Sequence, residues 1–158
     1  MYEIEENATL EMTNVLSYRG KATQNKLSQI SKEIEEMLKD NNAHKNGASV
    51  TATFAIDTSS PEPMLDIELL IPIDKNIIVS QPYVIKPLFR LKNAVKIRHI
   101  GNPALLQQTA NELMEYIKAK KLIPITAGYN VTVQEPTSQI NIGDMIVDIY
   151  VGVSDNIL

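Results

Sequence analysis

The chain has 158 residues, 44% of them hydrophobic and 22% charged, with a formal net charge of −4 and a sequence pI near 5.2. That balance is globular and long enough to bury a core, and its acidic sign argues against a nucleic-acid surface. Cysteine is absent, which excludes disulfides, thiolate nucleophiles, iron–sulfur clusters and thiolate zinc sites, and His44 and His99 are too few for a His-rich metal site.

The start, Met1-Tyr2-Glu3-Ile4-Glu5-Glu6, is acidic and has no apolar core, so it does not read as a signal peptide. Residues 9–19 alternate as a strand, with Leu10, Met12, Leu16 and Tyr18 on one side, and Gly20 ends it. Helical spacing then holds over residues 23–40, where Leu27, Ile30, Ile34, Met37 and Leu38 form an apolar stripe. After the turn-rich residues 40–47, strands are predicted at 48–56 and 65–73. The second half repeats this order. Residues 83–91 and 94–100 are strand-like, with a break expected near Lys92-Asn93. Pro103 suits the first turn of a helix over 103–120, with Leu105, Leu106, Leu113, Met114 and Ile117 inward. Strands at 129–134 and 145–153, with a turn around 135–141, finish the unit. No apolar run approaches the roughly 18 residues of a membrane span, and a cytoplasmic protein is the default.

Corresponding residues recur at offsets of 79 to 81. Gly20 matches Gly101, and Gly47 matches Gly128. In the helices Leu27, Ile34 and Leu38 fall on Leu106, Leu113 and Ile117, and in the last strands Ile67-Glu68-Leu69 falls on Val147-Asp148-Ile149. The expected fold is therefore a single α+β domain over 1–158, a duplicated strand–helix–strand–strand unit with halves near 1–78 and 79–158. A curved antiparallel sheet would carry both helices on one face, with pseudo-twofold symmetry.

Alternation sorts the strand faces. Ile67, Leu69, Ile71 and Ile73 belong under one helix, leaving Asp66, Glu68, Leu70 and Pro72 on the other face. Val147, Ile149, Val151 and Val153 belong under the second, leaving Asp148, Tyr150 and Gly152. Ser49, Thr51 and Thr53, and likewise Asn130, Thr132 and Gln134, are expected to point away from the helices, while Val131 and Val133 point in. Glu68 and Asp148 become equivalent positions on a mainly polar face, which is either solvated or forms a cleft where the units meet. The basic stretch at 86–96, with Lys86, Arg90, Lys92 and Lys96, reads as a solvated edge that charges protect from mispairing.

Two segments carry a family resemblance: Val95-Lys96-Ile97-Arg98-His99-Ile100-Gly101, followed by a helix and Ala127-Gly128-Tyr129, and Tyr18-Arg19-Gly20, followed by a helix, Gly47 and the strand Asp66-Ile67-Glu68-Leu69-Leu70-Ile71-Pro72-Ile73. Over essentially the whole chain, the sequence resembles the gyrase-inhibitor-like (GyrI-like) effector-binding domains. The resemblance implies two such units with a ligand cleft between them, taking hydrophobic and often cationic small molecules; a few members are hydrolases. The glutamate and tyrosine that many members share fall here on Asn130 and Thr132, and asparagine cannot act as a carboxylate charge partner or general base.

The candidate ligand-binding residues are Glu68, Asp148, Tyr150, Asn130, Thr132, Tyr129, Phe54 and Tyr18; no catalytic residue, metal ligand or cofactor is assigned. Neither a nucleophile elbow nor a phosphate-binding glycine loop occurs. The expected function is a stand-alone, non-catalytic domain that binds a small hydrophobic or cationic molecule, with no attached DNA-binding segment, no direct nucleic-acid contact and no membrane. The alternative is a protein-interaction module with a degenerate ligand site, and a hydrolase comes third. The strand at 83–91 is a surface through which a homodimer could form.

Overall fold

The fold was analysed in a computed structural model that describes residues 3–135, 137 and 139–154. Met1 and Tyr2 of the acidic start, and Pro136 and Ser138 of the turn expected at 135–141, lie outside the described residues. Strand β1 (Ile4–Ala22) is followed by helix α1 (Gln24–Asp40), β2 (Val50–Asp57), β3 (Met64–Pro72) and β4 (Tyr83–Ile100). A 3-10 turn, Pro103–Leu105, leads into α2 (Leu106–Ala119), then β5 (Ile123–Gln134) and β6 (Ile146–Ser154). The pairings given below are antiparallel.

These elements form two compact units, Met12–Phe89 and Met1–Glu11 with Arg90–Leu158. The start of β1, through Glu11, falls in the unit that holds β5 and β6, and residues 79–89 fall in the unit that holds α1.

In the unit Met12–Phe89, β1 pairs with β3 and β3 with β2. Helix α1 starts at Thr23, whose side chain accepts from the Lys26 N–H. It buries Ile30, Ile34 and Leu38 against Leu16, Tyr18, Ala22, Ile67, Ile71, Ile73 and Tyr83, with Leu27 and Met37 at the margin, as the apolar stripe predicts. The other unit repeats the pairing, β4 with β6 and β6 with β5. There α2 buries Thr109, Leu113 and Ile117 over Val95, Ile97, Val147, Ile149, Val151 and Val153. Two expected inward residues, Leu105 and Met114, are instead exposed at 47% and 43%. The stripe runs through Thr109, a polar residue that periodicity cannot flag but that hydrogen-bonds His99 beneath the helix.

Directly paired residues of antiparallel strands share a face, and this corrects the expected orientation of β2 and β5. Thr51 lies opposite Leu69 and Thr53 opposite Ile67, on the helix side, whereas Val50 and Ala52 lie opposite Leu70 and Glu68. Asn130 and Thr132 lie opposite Ile149 and Val147, again on the helix side, while Tyr129 and Val131 face away opposite Tyr150 and Asp148. Polarity misled because the helix-free faces are not solvated: Val15, Ser17, Val50, Ala52 and Leu70 in one unit, and Ala94, Tyr129 and Val131 in the other, are all buried.

Candidate functional site

Each helix-free face carries one buried carboxylate. In the unit Met12–Phe89, β3 places Glu68, 6% exposed, opposite Arg19 of β1 and Ala52 of β2. Its Oε2 accepts from Ser17 Oγ at 3.1 Å and from Lys86 Nζ at 2.7 Å. Beside it, Arg19 pairs with Asp66 and lays its guanidinium 3.9 Å from the centroid of the Phe54 ring. A register shift between Thr53 and Ala55 accompanies this placement of Phe54, which is itself 40% exposed.

In the other unit, β6 places Asp148, 3% exposed, opposite Arg98 of β4 and Val131 of β5. Arg98 grips it with two hydrogen bonds, Nε at 2.7 Å and Nη2 at 2.9 Å, the fork geometry suited to a carboxylate. Lys96 Nζ stands 3.4 Å from the same carboxylate, 3.7 Å from Glu5 and 5.6 Å from the Tyr150 ring centroid. Burial by itself pushes the Asp148 carboxyl up, but the Arg98 hydrogen bonds and the charges of Lys96 and Arg98 more than offset it, holding the group below the usual carboxylate range. Glu3, Glu5, Lys96 and Arg98 line a hollow of about 300 Å³ beside this cluster.

The registers of the two units match position by position. Arg19 opposite Glu68 corresponds to Arg98 opposite Asp148, and Ser17 opposite Leu70 to Lys96 opposite Tyr150. Val50 and Ala52 correspond likewise to Tyr129 and Val131. In the first strand this places Gly20 with His99, each opposite the equivalent Ile67 or Val147, and not with Gly101 as the glycine spacing suggests.

The sequence-predicted residues therefore separate. Glu68 and Phe54 lie on the helix-free side of one unit, and Asp148, Tyr150 and Tyr129 on that of the other. Tyr18 lies beneath α1 in the core, its ring 5.8 Å from that of Tyr83. Asn130 and Thr132 are half-buried on the helix side. Sequence reading missed the cations. Lys86 and Lys96, expected at a solvated edge, pair with the buried acids. The available signal was the recurrence of Arg19 at Arg98 in strands equivalent in order.

Thr109 Oγ1 and His99 Nδ1 are 2.7 Å apart, both side chains are fully buried, and His99 Nε2 lies 3.0 Å from the Asn102 carbonyl, which can only accept. Among the described residues no cluster of His, Asp and Glu could hold a metal ion.

The class defined here is an α+β fold, mainly antiparallel sheet with two helices, with a charged cluster on each helix-free sheet face. Its fold is similar to that of the EcmrR C-terminal domain, at TM-score 0.73 and 12% identity over 99% of both chains. In an EcmrR–DNA complex the likeness reaches TM-score 0.77 at 14% identity, covering 98% of this chain and 58% of that one, so the chain spans little more than half of that protein. A hydrolase from Listeria innocua (TM-score 0.58, 12% identity, 97% and 91% covered) and SAV2435 bound to tetraphenylphosphonium (TM-score 0.51, 12% identity, 98% and 94% covered) share it more distantly. No protein-family description and no curated protein matches the sequence.

Proposed function

We propose that the chain is a GyrI-like small-molecule-binding domain of the effector type, built from a duplicated strand–helix–strand–strand unit, which takes a lipophilic ligand against the helix-free sheet face of a unit without catalysing a reaction. The carrying observation is the pair of buried carboxylates, Glu68 and Asp148, at matching registers among apolar and aromatic neighbours. Apolar walls with a few convergent polar groups are the usual composition of a ligand site, and buried charge is retained at a cost that hydrophobic replacements would avoid. Tyr129 and Tyr150 supply flat apolar surface in one unit, and Phe54 in the other. The fold shared with the EcmrR C-terminal domain and with a tetraphenylphosphonium-bound protein supports the same reading. The buried Thr109–His99 pair offers no accessible nucleophile, which weighs against hydrolysis.

A thermal-shift series with neutral and charged polyaryl compounds tests this, because a ligand of the native state raises the melting temperature. At ligand concentrations near 100 times Kd the gain is about 2.7 kcal/mol, several degrees for a protein of this size. A flat response across the series, with no change in melting temperature, speaks for the second reading, a protein-interaction module. That alternative is favoured by the exposed apolar side chains Val84 and Leu88 on β4.

A further inference from the structure

Tetraphenylphosphonium is a lipophilic cation, and a buried carboxylate is the natural counter-charge for one. Here both carboxylates are already neutralised from within. Glu68 holds Lys86 at 2.7 Å, and Asp148 holds Arg98 at 2.7 Å and Lys96 at 3.4 Å. Two aromatic faces are likewise covered by the protein's own cations, Phe54 by Arg19 and Tyr150 by Lys96. An incoming cation would have to displace a tethered ammonium or guanidinium that is already in place on the buried carboxylate, whereas a neutral lipophile leaves that pair intact. Resting on the proposed binding role, we infer that this domain selects uncharged lipophiles and refuses lipophilic cations, with Lys86 as a specificity-determining residue.

The test is calorimetric titration of the full chain with tetraphenylphosphonium and with neutral triphenylphosphine oxide. Wild type should bind the neutral compound at least tenfold more tightly. Lys86→Met, which leaves the Glu68 carboxylate with only the Ser17 hydroxyl, should gain at least tenfold for the cation. Because that variant carries an unpaired buried charge and can fail to fold, the double variant Glu68→Gln/Lys86→Met, which removes both charges, is measured beside it and should keep the wild-type preference for the neutral compound. Wild type binding the cation as tightly as the neutral compound overturns the charge selectivity and leaves the binding role standing. So does a double variant that prefers the cation. If neither compound binds wild type or either variant, the binding role falls, and the selectivity with it.

Discussion

Asp148 carries the sharpest electrostatic prediction at the scale of a single residue. Its acidity in the folded state is raised by Arg98 and Lys96, so its pKa lies below the unfolded value. A depressed carboxyl pKa contributes stability that is present above the unfolded value, near pH 4, and is lost as pH falls through the folded one. Wild type should therefore melt above Asp148→Asn at pH 7, and the gap should close as the pH drops below about 4. Melting curves of both proteins between pH 7 and pH 2 check this, and a gap independent of pH would remove the ion pair as its cause. The acid itself was legible in the sequence, because a carboxylate sits alternately with Val147 and Ile149 in an apolar strand. Its partners were not, since Lys96 and Arg98 lie 52 and 50 positions away and only the β4–β6 register brings them opposite.

The helices were the most legible elements, because their stripes follow a local period that depends on no other strand. Strands were less so. β4 runs unbroken through Lys92-Asn93, residues of poor strand propensity, where Lys92 accepts from Thr9 and Asn93 donates to the Val153 carbonyl. β5 starts at Ile123, well before the expected 129, because register shifts between Pro124 and Gly128 accommodate residues that read as breakers. Orientation in β2 and β5 escaped alternation for a further reason: with both sheet faces buried, polarity no longer marks which side is inside. Gly152 illustrates how tightly these strands are fitted. A Cβ there would sit 2.8 Å from the Thr126 methyl, whose hydroxyl accepts from the Gly152 N–H at 2.9 Å. Gly152→Ala should destabilise by about 1–3 kcal/mol, and adding Thr126→Ser, which keeps the hydroxyl and removes the methyl, should recover part of the loss. Denaturant unfolding of the single and double variants decides it; an equal loss in both would place the strain elsewhere.

For the molecule as a whole, the strand–helix–strand–strand order was legible from spacing alone. Contacts such as Glu11 with Arg90 and Glu5 with Lys96, far apart in sequence, tie the start of β1 to β4. The functional account depends on the helix-free sheet face of a unit being where a lipophile goes. Methyl-labelled NMR addresses this directly. On titration with triphenylphosphine oxide, the methyl groups of Val15, Val50 and Leu70 in one unit, or those of Val131 in the other, should shift, while those of Ile30, Ile34, Leu113 and Ile117 beneath the helices stay in place. Shifts confined to the helix-covered methyls, or to the outer hollow near Met114 and Leu122, would contradict it.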